Sequence, residues 1–225
     1  KYYEINVGGT ISLLAAMQKT NVKKLLFSSS ATIYGEPNYL PIDEVHPLKA
    51  INPYGETKLA VENILKDLVI SDKNWSITSL RYFNPIGSHH LGLIGDDPIS
   101  GKSENLMPSI LKVFKGIKSK IEIFGDDYET EDGTGVRDYI HVMDLAAAHS
   151  KALGYLAKTN GLNIFNLGTG KGISVLQLIN TFEKVTGCSL PKVIRDRRIG
   201  DAAYCYANPQ KAKSILKWQT IMSLE

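Results

Sequence analysis

Hydrophobic residues recur in the first part of the chain with the spacing of one helical face. The spacing of three or four positions predicts an amphipathic helix that ends near Asn21. Its apolar positions are Val7, Ile11, Leu14 and Met17. The apolar run at residues 25–27 then predicts a short buried strand, which ends in the three serines of residues 28–30.

A polar stretch containing several prolines separates this strand from a second amphipathic helix. Asn52 followed by Pro53 is typical of a helix start, because Asn caps free backbone N–H groups and Pro fits the first turn. Apolar residues at helical spacing carry the helix to about Val69; they are Val61, Ile64, Leu65 and Leu68. Residues 77–82 predict the next strand.

The second half of the chain alternates short apolar segments with long polar loops. Residues 84–105 form a loop rich in Gly, Pro, His and Asp, and loops of this length are usually lids or binding loops. Further helices are predicted near residues 108–114, after a cap at Asp144 and over residues 174–185, and further strands over residues 122–124, 139–142 and 163–167.

This alternation of helices and strands predicts an α/β fold with a doubly wound, mostly parallel sheet. We predict that residues 1–84 form the C-terminal part of the sheet domain. Residues 85–225 would form mainly a smaller mixed α/β lobe, and residues 139–168 would contribute elements back to the sheet.

Composition narrows the class of protein. Hydrophobic residues are 43% and charged residues 22% of 225, which is ordinary for a globular protein with a real core. The net charge is only +3 without a basic stripe, which argues against nucleic-acid binding. No apolar run has transmembrane length. Cys188 and Cys205 suggest neither a disulfide framework nor a zinc site, which favours a reducing, cytoplasmic location.

Tyr54 and Lys58 are four residues apart at the start of the second predicted helix, so both can face one ligand. A phenol has an ordinary pKa of about 10, and a neighbouring ammonium favours the phenolate that a general base requires. Taken alone, such a pair is more often part of an exposed polar face.

Three serines end the first predicted strand, and ligands of open α/β sheets bind beyond the carboxyl ends of strands. Ser30 at that end could hydrogen-bond a substrate hydroxyl and relay its proton to Tyr54. Serines after a strand are commoner as turn residues, so this feature alone does not decide between the two explanations.

Together, a strand ending in Ser and a helix opening with Tyr-x-x-x-Lys resemble the short-chain dehydrogenase/reductase superfamily. Five stretches are similar to the UDP-glucose 4-epimerases of its extended, nucleotide-sugar branch. They are LFSSSATIYG (26–35), NPYGETK (52–58), LRYFNPIG (80–87), NLMP (105–108) and TEDGTGVRDYIHVMDL (130–145). The resemblance runs through essentially the whole chain.

The resemblance implies a Rossmann-like domain that binds NAD and a lobe that binds UDP-galactose or UDP-glucose. It implies Ser30, Tyr54 and Lys58 as the catalytic set, and Ser28, Tyr82 and Phe83 as further cofactor contacts. The implied substrate contacts are Ser30, Tyr54, Asn84, Asn105, Leu106, Glu122, Ile123, Phe124, Arg137, Arg198, Asp201 and Cys205. Two arginines suit a diphosphate, because guanidinium binds phosphate oxygens bidentately. A surface ion pair, for Arg137 with the adjacent Asp138, is the alternative.

The chain departs from the family pattern in lacking the Gly-rich phosphate loop expected near the start of the dinucleotide fold. The family's closing C-terminal segment is absent as well, so both ends suggest truncation, with the first strands missing. The Gly-rich residues 168–172 match neither phosphate-loop spacing, and we predict a strand-to-helix turn there.

Cys205 stands where the resemblance places either a bulky Tyr or a small residue, four positions after Asp201. A small residue would leave room for an N-acetyl group, which predicts that UDP-N-acetylglucosamine and UDP-N-acetylgalactosamine are also accepted. Cys205 could equally be a small residue packed for stability alone.

Several alternatives remain open. A related 4,6-dehydratase or decarboxylase would need a carboxylate directly after Ser30, where this chain has Ala31. A non-catalytic binding protein, or a fragment unable to hold NAD, is also compatible with the sequence. No metal site is predicted, since His89 and His90 with the nearby Asp96 and Asp97 match no ligand spacing. The resemblance further implies a homodimer formed through the first two helices.

Overall fold

The computed structural model describes residues 1–95 and 105–225. The strands are β1 (Lys24–Ser30), β2 (Ser76–Tyr82), β3 (Asn84–Ile86), β4 (Ile121–Phe124), β5 (Val136–Arg137), β6 (Tyr139–His141), β7 (Gly161–Leu167), β8 (Ile173–Ser174), β9 (Lys192–Arg195) and β10 (Tyr204–Cys205). The α-helices are α1 (Gly9–Lys19), α2 (Pro53–Ser71), α3 (Leu106–Phe114), α4 (Val142–Leu156) and α5 (Val175–Thr186). A π-helical turn over Tyr3–Gly8 leads into α1, and another forms Ala212–Leu216.

A three-stranded parallel sheet in the order β1-β2-β7 forms the centre of the first part of the fold. The middle strand β2 is buried along almost its whole length, as expected for a parallel strand covered on both faces. Helices α1 and α2 pack on one face with a core that includes Leu14, Val61 and Ile77. Helix α4 covers the opposite face, so the predicted α/β fold with a parallel sheet is confirmed.

The other strands among the described residues form three small sheets in the orders β10-β5-β8, β3-β6 and β4-β9. All their pairings are parallel except that of β5 with β8. A second core lies between α3, α5 and β4, and includes Ile110, Ile123 and Ile179. The chain returns to the first sheet through α4 and β7, while the predicted division into domains stays a prediction.

The start of α4 differs from the predicted one. The helix begins at Val142, which was predicted as the end of a strand, and its N-cap is His141, whose ring nitrogen accepts the N–H of Met143. Asp144 was predicted as the cap. Its carboxylate instead accepts the N–H groups of Ile221 and Met222, so a distant segment uses the acceptor that the local pattern assigned to the helix.

No helix among the described residues is both long and apolar enough to cross a membrane.

Candidate active site

The first turn of α2 is built by local sequence. The Asn52 side chain accepts the N–H of Gly55 at 2.8 Å, and Pro53 occupies the first helical position. Both features satisfy or remove backbone donors that a helix start leaves unpaired. Tyr54 therefore projects from a capped, rigid turn.

Gly55 allows this turn to approach the residues that follow β1. A β-carbon at Gly55 would lie 2.7 Å from the carbonyl oxygen of Thr32 and 3.1 Å from the Ala50 β-carbon. Thr32 belongs to the 3-10 turn that begins directly after Ser30. The missing side chain therefore brings the start of α2 against the end of β1, which places Tyr54 beside Ser30.

The Ser30 hydroxyl lies close enough to the Tyr54 phenol to lower the pKa of Tyr54. The Ser30 oxygen accepts from the Thr32 N–H at 3.2 Å and the Thr32 hydroxyl at 2.9 Å, so its own proton is not used by either bond. Burial raises the pKa of Tyr54, and the Ser30 hydroxyl opposes that rise. A hydrogen bond from this hydroxyl favours the phenolate, because the charged oxygen is the better acceptor.

Lys58 lies one helical turn beyond Tyr54, and its amine is 5.7 Å from the centre of the Tyr54 ring. The amine donates to the carbonyl oxygen of Ser28 at 2.9 Å, and burial lowers the pKa of Lys58. The amine thus points to the strand, and burial raises the pKa of Tyr54. The lowering of that pKa by Lys58 stays a prediction.

Tyr82, at the end of β2, lies close to the same serine. Its hydroxyl is 2.7 Å from the Ser28 hydroxyl and is also hydrogen-bonded to Nε2 of His149 on α4. Phe83 is buried, and its N–H donates to the Leu167 carbonyl. Ser28, Lys58 and Tyr82, all implied as cofactor contacts, are therefore linked by hydrogen bonds.

A second cluster, on the lobe side, contains both arginines implied for the diphosphate. The Arg137 guanidinium is 3.9 Å from the Asp201 carboxylate, and the Arg198 guanidinium lies 3.7 Å from the centre of the Phe124 ring. A β-carbon at Gly200 would lie 2.8 Å from the Ile51 carbonyl. The loop that carries Arg198 and Asp201 thus touches the residue before the Asn52 cap, next to Tyr54.

Asp138 is fully buried and does not pair with Arg137, so the suggested ion pair between these neighbours is wrong. Its carboxylate accepts the Thr169 N–H and hydroxyl, the Gly170 N–H and the Ala207 N–H at 2.6–3.1 Å. Burial raises the pKa of Asp138, and these four bonds oppose that rise. This carboxylate organises the segment at residues 168–172. That segment joins β7 to the short strand β8, which the predicted strand-to-helix turn did not include.

The main chain of Asp138 connects strands that carry implied substrate contacts. Its N–H donates to the Cys205 carbonyl, and its carbonyl accepts the N–H of Asn84. Cys205 stands opposite Arg137 in the β5–β10 pair and packs against the cluster that contains Phe83. Burial raises the pKa of the Cys205 thiol to about 11, so it remains an uncharged side chain.

The residues on β4 and next to α3 that are implied as substrate contacts differ in their surroundings. Ile123 is buried in the lobe core, so its side chain cannot face a ligand. Glu122 forms ion pairs with Lys118 and Arg195 on the opposite side of the strand. Asn105 occupies the N-cap position of α3 without capping it through its side chain, and Leu106 begins the helix.

A buried ion pair beneath the site connects α2 to β2. Glu62, one turn beyond Lys58, accepts two bonds from Arg81 at 2.6 and 3.1 Å. The two side chains are only 4% and 2% exposed. Arg81 also donates to the Tyr34 hydroxyl at 2.8 Å. The pattern of apolar residues contained no signal for this pair, because both partners are charged residues in buried positions.

Residues 1–168 match the model of the NAD dependent epimerase/dehydratase family. The chain belongs to this family. Over its whole length it is 52% identical to the UDP-glucose 4-epimerase of Bacillus subtilis (strain 168) and 50% identical to that of Homo sapiens. It spans 66% and 64% of the length of these two relatives.

Solved structures of the epimerase/dehydratase family have the same fold. The UDP-glucose 4-epimerase of Bifidobacterium longum in complex with NAD+ and UDP is 48% identical, with a TM-score of 0.95 over 99% of this chain and 66% of that one. The UDP-Glc/GlcNAc 4-epimerase of Campylobacter jejuni is 37% identical, with a TM-score of 0.80 over 100% of this chain and 68% of that one.

Two contributors to the site have only a weak signal in the sequence. His149 was assigned to packing, although its position one turn after Leu145 on α4 could have drawn attention to the face it shares with the sheet. Gly55 was passed over inside the motif between Tyr54 and Lys58. Within residues 1–95 and 105–225 no three potential metal ligands come together, and Asp96 and Asp97 lie outside those ranges.

Proposed function

We propose that this chain forms the catalytic and substrate-binding part of an NAD-dependent UDP-glucose 4-epimerase. The observation that carries the proposal is the convergence of Ser30, Tyr54 and Lys58 at the carboxyl end of β1. The identity of the chain to named UDP-glucose 4-epimerases supports the same activity.

The residues at the carboxyl ends of β1 and β2 are suited to binding NAD. The Lys58 ammonium has three N–H donors and gives one to Ser28, so two remain for ribose hydroxyls. Ser28, Tyr82 and Phe83 would complete the nicotinamide side. When bound, NAD supplies an acceptor and donor of hydride for the sugar C4. The relative from Bifidobacterium longum was solved with NAD+ and UDP.

In the mechanism that we propose, the Tyr54 oxygen takes the proton of the sugar 4'-hydroxyl, directly or through Ser30. Tyr54 holds that proton while C4 is a carbonyl and returns it after the sugar has turned. The diphosphate and ribose would be held by Arg137, Arg198 and Asp201. The rest of the nucleotide site would be formed by Asn84, Asn105, Leu106, Glu122, Ile123 and Phe124. Of these, Ile123 would contribute main-chain atoms only. Such firm binding of the nucleotide and loose binding of the hexose let one base serve both configurations.

The test is conversion of UDP-galactose to UDP-glucose without added NAD. It is run with residues 1–225 and with any longer natural protein that contains them. Tyr54→Phe should lose at least about a hundredfold in kcat, since general-base catalysis contributes about 10²–10⁴. Tyr39→Phe, which removes a surface hydroxyl bonded to Asp43, is the matched control and should keep full activity. Binding of UDP-sugars without epimerisation would contradict the proposal.

We further propose that UDP-N-acetylhexosamines are accepted, since Cys205 leaves more space beside Phe83 than a tyrosine would. The Campylobacter jejuni relative is named for both sugar classes. Cys205→Tyr should abolish turnover of UDP-N-acetylglucosamine and keep that of UDP-galactose. If the protein with Cys205 already rejects the N-acetylated sugar, Cys205 is a packing residue only.

The remaining proposals concern assembly and context. A homodimer through the first two helices is supported by apolar side chains that are more than half exposed on that surface, among them Tyr3, Ile5 and Ile11. Sedimentation of the purified protein tests it. The free cysteines Cys188 and Cys205 support a cytoplasmic location, and the activity supports a role in galactose metabolism.

A further inference from the structure

A chain of hydrogen bonds extends from the implied cofactor contacts to His149. It runs from the Ser28 hydroxyl to the Tyr82 hydroxyl at 2.7 Å, and from the Tyr82 hydroxyl to Nε2 of His149. The Ser28 carbonyl also accepts from Lys58 at 2.9 Å. His149 is thus the fourth residue of a connected group whose other three members are assigned to the cofactor.

The chemistry of His149 determines the direction of these bonds. Its Nδ1 lies 2.8 Å from the carbonyl oxygen of Leu145, and a carbonyl can only accept, so Nδ1 carries the proton. In a neutral imidazole Nε2 is then an acceptor. Tyr82 must donate its hydroxyl proton to Nε2, and its oxygen is left to accept the proton of Ser28.

We propose that His149 is a positioning residue that holds the Tyr82 and Ser28 hydroxyls in this single direction; the catalytic consequence rests on the proposed function. The His149 ring is itself fixed by the carbonyl one turn earlier on α4, and the ring centres of His149 and Tyr82 are 5.4 Å apart. The lone pairs of Ser28 therefore stay available for a donor on the ligand.

The arrangement also separates two neighbouring phenols. Tyr82 and Tyr54 are close enough to interact electrostatically, yet they have different hydrogen-bond partners. Each phenol can accept a serine proton, which favours the phenolate, but only Tyr82 also gives its own proton to a histidine, which favours the uncharged form. His149 thereby keeps Tyr82 from acting as a second base or as a competing donor to Tyr54.

The first experiment needs no catalytic activity. Nitrogen NMR of residues 1–225 labelled in histidine distinguishes the two neutral tautomers, and His149→Gln identifies the signal. We expect the tautomer protonated at Nδ1. A predominant Nε2–H tautomer would overturn the inference, because Tyr82 would then receive a proton and turn its own toward Ser28.

The second experiment measures kcat and KM in the protein that contains NAD. His149→Leu removes the acceptor, and His149→Gln restores an amide oxygen the same number of bonds from the main chain. We expect His149→Leu to lower kcat about three- to tenfold at unchanged KM, the range for one hydrogen bond. His149→Gln should stay within about threefold of wild type, a smaller loss than that of His149→Leu.

Tyr82→Phe completes the comparison. Its loss should not be increased by adding His149→Leu, because the histidine acts only through the tyrosine hydroxyl. Equal losses for His149→Gln and His149→Leu at unchanged melting temperature, or losses that multiply in the double variant, would overturn the inference. A wild-type protein that never epimerises UDP-galactose removes the proposed function alone, and the tautomer measurement then decides the positioning role.

Discussion

Replacing Gly55 with Ala tests whether the close approach of α2 to the end of β1 builds the site. The new β-carbon would lie 2.7 Å from the Thr32 carbonyl oxygen. Carbon–oxygen contacts are ordinarily about 3.3 Å or longer, so the overlap is about 0.6 Å. The obstructing atom belongs to the backbone of a buried turn and cannot rotate away.

Two effects of opposite sign decide the stability of this variant. Overpacking a well-packed site costs about 1–3 kcal/mol, whereas Gly→Ala in a helix gains about 0.5–1 kcal/mol. We expect Gly55→Ala to lower the free energy of unfolding by about 0.5–2 kcal/mol. The clash wins because α2 must shift as a unit to relieve it.

Gly154 in α4 provides a matched control, since a β-carbon there would meet nothing within 4 Å. Gly154→Ala should raise the free energy of unfolding by about 0.5–1 kcal/mol through helix propensity alone. Urea unfolding of residues 1–225 measures both variants, with equal m-values required for the comparison.

The same substitution should reduce catalysis by more than it reduces stability. A shift of about 0.6 Å in α2 moves Tyr54 relative to Ser30, and misplacement by about 1 Å can cost about a hundredfold in rate. We expect kcat to fall at least about tenfold in Gly55→Ala and to stay unchanged in Gly154→Ala. If Gly55→Ala is stabilised like Gly154→Ala and remains fully active, the close approach does not position the base.

Three further predictions follow from polar groups in and beneath the site. Glu62→Ala leaves the Arg81 charge buried without its partner and should cost about 3–5 kcal/mol in urea unfolding. Asp138→Asn replaces one acceptor oxygen by a donor that faces backbone N–H groups, and should cost about 2–4 kcal/mol by the same measurement. Ser30→Ala removes the hydroxyl that lowers the pKa of Tyr54, so this pKa should rise. Tyrosinate absorbance, compared with Tyr54→Phe, detects the rise, and the alkaline increase in kcat should move to higher pH.

Each of these predictions has an outcome that contradicts it. Unfolding of Glu62→Ala at the wild-type urea concentration would mean that water or another group compensates Arg81. A stable Asp138→Asn would mean that the turn at residues 168–172 holds without the carboxylate. A Tyr54 titration that is unchanged or moves to lower pH in Ser30→Ala would show that the serine does not donate to the phenol.

The helices and long strands could be predicted because residues close to one another in the sequence determine them. Asn52 and Pro53 specify the start of α2 through groups within one turn, and apolar spacing specifies its buried face. The residue types of the catalytic set were readable for the same reason, since Tyr54 and Lys58 share a helix and Ser30 ends a strand.

The errors and omissions concern interactions between segments far apart in the chain. Asp144 has the residue type of a helix cap, but its acceptors are taken by the N–H groups of Ile221 and Met222. Asp138 stands next to Arg137 in sequence, yet its carboxylate is buried and accepts bonds from Thr169 and Gly170. Consecutive residues of an extended chain point to opposite sides, so adjacency in the sequence did not place Arg137 and Asp138 together.

The sequence by itself determined the elements, the α/β class and the types of residue available for acid–base chemistry. Only the tertiary structure decided which polar groups meet, because burial forces each donor and acceptor to find a partner wherever the fold supplies one. The pairing of Glu62 with Arg81, and of Tyr82 with His149, joins segments 19 and 67 residues apart. The spacing of apolar residues within a segment does not predict these pairs, because the partners meet only when α2 and α4 pack on opposite faces of one sheet.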